Sequence, residues 1–82
     1  MNNDNEKRGK EKKILNEVLY LNEYEKKVHI ITNEKRFYNG FIIDFTNSYL
    51  LLDDRIKGLI KIIYSDIYKI EEYKKQEGGK WI

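Results

Sequence analysis

The chain has 82 residues, no cysteine and a formal net charge of +2, which together fit one small domain. The lack of cysteine excludes disulfides, thiolate metal sites and cysteine nucleophiles, and it favours a reducing, cytoplasmic location. No apolar run approaches the roughly 18 residues of a membrane span, and the charged N-terminus has no apolar signal-peptide core, so no membrane partner is expected.

The first segment of the chain, residues 1–13, is highly charged and has nothing to bury. It holds five basic and three acidic side chains and no apolar residue after Met1. Segments of this composition do not collapse, so we expect a disordered basic tail. The alternative interpretation is that the tail only keeps the protein soluble. Its last three lysines are candidates for contact with RNA phosphates: Lys10, Lys12 and Lys13.

A short helix is predicted after this tail. Its apolar residues form one stripe at helical spacing, and they are Ile14, Leu15, Val18 and Leu19. Asn22 is a plausible stop. A helix of two to three turns is marginal by itself, so we expect it to lie against the rest of the domain.

Strand-forming runs rich in Ile, Leu, Val, Phe and Tyr occupy most of the remaining chain. Short polar connections separate them, and the predicted strands are residues 28–32, 36–45, 49–53, 59–64 and 67–73. Gly40 lies inside the second, where the absence of Cβ permits a sharp bend and close packing of a neighbouring strand. The sequence thus predicts a mainly β domain over residues 14–75: a small, strongly bent, five-stranded antiparallel barrel with a short N-terminal α-helix. A flexible C-terminal tail is predicted over residues 76–82.

Catalytic and metal chemistry find little support in this sequence. His29 is the only histidine, and its alternation with apolar neighbours predicts a surface or interface position. Asp53 and Asp54 open a turn beside Arg55 and Lys57, which is ordinary turn chemistry and does not indicate a metal site. No nucleophile is paired with a base and no glycine-rich phosphate loop is present, so we expect neither an enzyme nor a cofactor.

The order of one helix and five bent strands resembles the Sm/LSm family, including its bacterial Hfq branch. The resemblance covers roughly residues 14–73, and its best-matching pieces are KVHIITNEKRFYNGFIIDF and IIYSDIYKI. It implies an Sm-like (SH3-like) barrel that assembles into a homo-oligomeric ring of six or seven copies. It also implies binding of single-stranded RNA, U-rich or A-rich, around a central pore.

The resemblance assigns the RNA contacts to the connections after the second and fourth strands. In the first connection, Asn47 offers an amide that can read a base edge, and Tyr49 offers a ring for stacking. In the second, Tyr64 offers another ring, followed by Ser65. The alternative interpretation is that Tyr49 packs inside the barrel and Tyr64 seals a subunit interface.

The chain departs from the family pattern in both connections. Thr46 stands where the family carries Asp, and Ser48 stands where it carries a stacking side chain. Tyr64 and Ser65 occupy the place of Arg-Gly or Lys-His, so the cationic pore contact is missing. We therefore expect RNA binding to depend on stacking and on the lysines of the tail.

Two other functions fit the same barrel. The segment GFIIDFTNSYLLL also resembles the Sm-like barrel of the archaeal RNase P protein subunit, a monomer inside a ribonucleoprotein. A scaffold or assembly module without RNA binding is the other possibility. The apolar fourth strand lies near an open edge in such a barrel, and its pairing with the fifth strand of another copy favours a ring.

Overall fold

The structure, a computed structural model, describes the backbone of residues 3–74 and the side chains of residues 9–74. One helix, α1 (Asn3–Glu23), precedes five strands: β1 (Val28–Thr32), β2 (Phe37–Phe45), β3 (Tyr49–Asp54), β4 (Gly58–Ile63) and β5 (Ile67–Glu72). A single 3₁₀ turn (Tyr64–Asp66) joins β4 to β5. The tail predicted over residues 76–82 lies outside the described residues.

The five strands form one antiparallel sheet in the order β4-β3-β2-β1-β5, and this sheet does not close. The predicted mainly β architecture with an N-terminal helix is therefore confirmed. β4 and β5 are the two edges, and the 3₁₀ turn carries the chain from one edge to the other. In β2 the register with β3 shifts between Ile42 and Asp44, which marks a bulge in the long strand.

The core lies between one face of the sheet and one face of α1. Alternating residues of the strands point into it, and the fully buried ones include Val28, Ile30, Leu50, Leu52 and Ile67. Tyr64, at the start of the 3₁₀ turn, is fully buried as well. The helix contributes Ile14, Val18 and Leu21, which share one face at helical spacing. α1 packs in this way against β5, β2 and the 3₁₀ turn.

The helix begins much earlier than the sequence predicts. Residues 1–13 are expected to be a disordered tail, but α1 starts at Asn3, so that expectation is wrong from Asn3 onward. Packing of Ile14 and Val18 against the sheet supplies the nucleus. Extension by about three further turns, back to Asn3, is inexpensive because each added residue forms a hydrogen bond on an existing helix. The Lys and Glu residues of this segment also have good helix propensity. Within residues 3–74, no helix is both long and apolar enough to cross a membrane.

Gly40 has the packing role that the sequence predicts. A Cβ at this position would lie 1.9 Å from the backbone oxygen of Asp53 and 3.1 Å from the Cα of Asp54. The backbone of β3, the paired neighbour of β2, therefore lies directly against Gly40 and leaves no room for a side chain. The irregular pairing of β2 occurs further along, between Ile42 and Asp44, so Gly40 allows close approach of the two strands while the bulge changes the register.

His29 is buried, with only 2% of its surface exposed, so its predicted surface position is wrong. β1 is paired on both sides, with Asn39 of β2 and Glu71 of β5 opposite His29. The Nδ1 atom of His29 lies 2.5 Å from Oδ1 of Asn39, and its ring stacks on Phe37 at 5.9 Å. Neighbouring side chains thus also cover the face of β1 that points away from the core at His29.

Candidate nucleic-acid interface

Three connections of the sheet meet at one end of the molecule. The backbone N–H of Tyr64 donates to the carbonyl of Ser48 at 2.9 Å, which joins the 3₁₀ turn to the β2–β3 connection. In the β1–β2 turn, the Nδ2 atom of Asn33 donates to the carbonyl of Ser65 at 2.9 Å. The backbone N–H of Asn33 donates to the carbonyl of Asp66 at 2.8 Å. The two connections that the sequence analysis singled out are therefore in direct contact.

The β2–β3 connection is fixed by its own first residue. The hydroxyl of Thr46 accepts hydrogen bonds from the backbone N–H groups of Ser48 and Tyr49, at 3.0 and 3.1 Å. The backbone N–H of Thr46 donates to the carbonyl of Tyr49 at 2.8 Å. Asn47 is exposed at the tip, and within residues 9–74 its side-chain amide has no hydrogen-bond partner. These hydrogen bonds fix the backbone of the loop, and with it the start of β3 at Tyr49.

Tyr49 lies on the face of the sheet opposite to the core. It is half-buried at the start of β3, whereas the next residue, Leu50, is fully buried. Lys61 of β4 pairs with Leu51 and so projects on the same face as Tyr49. Its Nζ atom lies 4.4 Å from the centre of the Tyr49 ring. The alternative that Tyr49 packs inside the barrel is therefore wrong.

Tyr64 is a core residue, and its predicted role as a stacking ring is wrong. Its side chain is fully buried, and its hydroxyl donates to the carbonyl of Thr46 at 2.6 Å. Burial raises the pKa of the hydroxyl to about 12. Tyr64 therefore acts from inside the domain, where it anchors the β2–β3 connection. Ser65 is half-buried, and its carbonyl is already bonded to Asn33.

An open groove of about 240 Å³ lies beside this junction. It runs between the β1–β2 turn, the first half of β2 and the end of β4, and its lining residues are Thr32, Asn33, Glu34, Arg36, Tyr38, Lys61, Ile62 and Asp66. Two of these side chains are cationic and two are acidic, and Arg36 pairs with Glu34 at 3.6 Å. The groove therefore carries no strong net charge, and Lys61 connects it to the Tyr49 ring.

The three lysines predicted to contact phosphates stand outside this junction. Lys10, Lys12 and Lys13 are exposed on α1, in the part of the helix that precedes its first buried residue, Ile14. They lie on a helix and not on the predicted disordered tail. Because α1 packs against the 3₁₀ turn, their helix borders the same end of the sheet.

The comparisons with known proteins do not assign a family. No family model matches the chain, and no curated protein matches it either. Among the described side chains, no group of three or more histidines and carboxylates is arranged to hold a metal ion. The features of this end of the molecule that a ligand could contact are therefore the exposed Asn47 amide, the Tyr49 ring with Lys61, and the groove.

Proposed function

We propose that this chain is an Sm-like subunit that binds single-stranded RNA. The observation that carries the proposal is the position of Asn47, Tyr49 and Lys61 beside one hydrogen-bonded junction of the backbone. Stacking on an aromatic ring accepts any base, an amide can read a base edge, and a lysine can contact the phosphate. Arg36 in the adjoining groove offers a second cation for the strand.

The fold supports this proposal because hydrogen bonds to neighbouring connections hold the backbone that carries Asn47 and Tyr49. Tyr64 and Ser65 now have supporting roles, because Tyr64 anchors the β2–β3 connection from the core and Ser65 ties the 3₁₀ turn to Asn33. The site that binds RNA consists of Asn47, Tyr49, Lys61 and Arg36. Lys10, Lys12 and Lys13 add a general attraction for phosphates from the neighbouring helix.

We further propose that copies of the chain assemble into a ring through their open edges. Both edge strands carry exposed apolar side chains, since Leu59 of β4 is 65% exposed and Tyr68 of β5 is 69% exposed. An unpaired apolar edge promotes aggregation unless another strand covers it. Pairing β4 of one copy with β5 of the next satisfies both edges, and a head-to-tail contact of this kind can close into a ring.

Sedimentation of the native particle tests the assembly. We expect a mass several times the 10.0 kDa of one chain at micromolar concentration. The double variant Leu59→Lys/Ile63→Lys should lower this mass, because charge on the edge opposes strand pairing. Ile56→Lys, in the turn between β3 and β4, is the matched control and should leave the mass unchanged. A wild-type monomer would contradict the ring and favour a single subunit of a larger ribonucleoprotein.

Titration of U-rich and A-rich oligomers at two salt concentrations tests RNA binding. Tyr49→Ala should lower the affinity about tenfold or more, because a stacked base contributes about 1–3 kcal/mol, and it should leave the salt dependence unchanged. Tyr24→Ala is the matched control. Tyr24 is 58% exposed and precedes the start of β1, whereas the site lies beyond the end of β1. Loss of the Tyr24 ring should therefore not alter RNA binding.

Deletion of residues 1–13 should have the complementary effect in the same titrations. Removal of Lys10, Lys12 and Lys13 should flatten the salt dependence, because fewer counterions are released on binding. The loss of base stacking and the loss of phosphate attraction are thereby separated. If neither oligomer binds below millimolar concentration even at low salt, the RNA proposal fails and a scaffold without RNA binding takes its place.

A further inference from the structure

The interaction between Lys61 and Tyr49 places a cation where a stacked base would have to lie. The Nζ atom of Lys61 is 4.4 Å from the centre of the Tyr49 ring, well within the range of a cation–π interaction. Tyr49 is itself half-buried, so the ring surface open to a ligand is limited. A base and the Lys61 ammonium cannot occupy the same face of the ring.

Nothing in the described part of the chain fixes Lys61 in this position by charge. The ion pairs among residues 9–74 join Lys26 to Glu72, Arg36 to Glu34 and Lys69 to Glu71, and Lys61 takes part in none of them. Lys61 is exposed, and its long side chain lies at the rim of the groove. The ammonium can therefore leave the ring without breaking an ion pair.

We propose that Lys61 is a displaceable cover over Tyr49, which opens the ring when a ligand supplies a phosphate. This inference rests on the proposed function and identifies the residue that decides which ligands use the site. A phosphate offers the ammonium a full negative charge in place of the ring quadrupole, so a phosphate-bearing strand draws Lys61 away and leaves the ring face to the base.

The cover gives the site a preference for bases that are joined to a phosphate backbone. A neutral nucleoside must displace Lys61 without compensation, whereas an oligonucleotide replaces the cation–π interaction with an ion pair. The same lysine therefore weakens the binding of a free base and strengthens the binding of a strand. Loss of a residue that acts only through packing would change the affinities for both ligands in the same direction.

The test compares wild type and Lys61→Met with two probes, adenosine and the A-rich oligomer. Lys61→Met should bind adenosine roughly two- to fivefold more tightly, because the nucleoside no longer has to displace a cation from the ring. It should bind the oligomer more weakly, with a salt slope reduced by about 0.7, because one phosphate no longer meets a lysine. In a Tyr49→Leu background, Lys61→Met should no longer improve adenosine binding.

Lys69→Met is the matched control, because Lys69 is exposed on the other edge strand and pairs with Glu71. Lys69→Met should leave the affinity for adenosine unchanged. It should also leave unchanged the ratio between the affinity for adenosine and the affinity for the oligomer. The cover is contradicted if Lys61→Met shifts both affinities in the same direction. The cover is also contradicted if wild type and Lys61→Met bind adenosine equally well. The same holds if NMR detects no adenosine binding by either protein at millimolar concentration.

A second measurement separates failure of the cover from failure of the proposed function. The ring current of Tyr49 should shift the ε-methylene protons of Lys61 upfield in the free protein, and the shift should disappear when the oligomer is added. Binding of the oligomer with the shift unchanged overturns the cover and leaves RNA binding in place. Absence of oligomer binding overturns the proposed function, and with it the role of Lys61.

Discussion

Replacement of Gly40 by alanine is expected to destabilise the domain by about 3 kcal/mol or more, at or above the upper end of the usual overpacking penalty. The added Cβ would lie 1.9 Å from the backbone oxygen of Asp53, a distance far below any van der Waals separation. The obstacle is backbone, so no side-chain rotation can relieve it. β2 and β3 would have to separate, and their pairing extends from Gly40 to Phe45.

Urea denaturation followed by circular dichroism measures this loss, with Gly9→Ala as the matched control. Gly9 lies in α1, and a Cβ there meets nothing within 4 Å. Because alanine favours a helix over glycine, Gly9→Ala should stabilise the protein slightly, by up to about 1 kcal/mol. Gly40→Val should be at least as harmful as Gly40→Ala. An unchanged denaturation midpoint for either Gly40 variant would mean that the backbone of β3 does not lie against Gly40.

The strands were predictable because their residues carry a strong local signal. β1 begins and ends where the sequence predicts, and the other strands differ by about one residue at their ends. Apolar, β-prone runs between Asn, Asp and Ser clusters leave few alternatives in a chain this short. The start of α1 was not predictable in this way, because residues 3–13 have no apolar stripe. Their helix depends on packing that begins at Ile14.

The errors at the site have two different physical causes. The burial of Tyr64 follows from alternation, since Ile60 and Ile62 point inward and Tyr64 comes two residues later. The sequence therefore contained that signal, and the resemblance to a pore loop obscured it. The pairing of Lys61 with Tyr49 was not predictable, because it depends on the register between β3 and β4. That register is set by the turn at residues 55–57 and the positive φ of Gly58.

Removal of the Asp54 side chain is the second change with a large expected effect. Its carboxylate is buried and accepts three backbone hydrogen bonds: from Asn39 at 2.9 Å, Ile56 at 2.9 Å and Lys57 at 2.8 Å. It therefore closes the β3–β4 turn, as the turn chemistry of the sequence predicts. It also ties this turn to β2 through Asn39, which the sequence did not indicate. Asp54→Ala leaves three N–H groups without their acceptor, and we expect a loss on the order of 3 kcal/mol.

The same hydrogen bonds make the contribution of Asp54 dependent on pH. Burial alone would raise the pKa of the carboxyl, but the amides of Lys57, Ile56 and Asn39, with the Lys57 ammonium, outweigh it and hold the pKa below the ordinary 3.8. A carboxyl whose pKa is lower in the folded than in the unfolded state stabilises the fold above the unfolded pKa. This stabilisation is lost as the pH falls through the folded pKa.

Urea denaturation of wild type and Asp54→Asn between pH 7 and pH 2 tests this linkage. Asparagine keeps the shape of the side chain but presents an NH₂ group to at least one backbone donor and cannot carry the charge. The difference in unfolding free energy between the two proteins should be largest at neutral pH and shrink below about pH 4. Asp53→Asn, a change at the exposed neighbouring residue, is the matched control and should lower the unfolding free energy at neutral pH much less than Asp54→Asn. A difference that stays constant down to pH 2 would mean that Asp54 closes the turn through its shape alone, with no contribution from its charge.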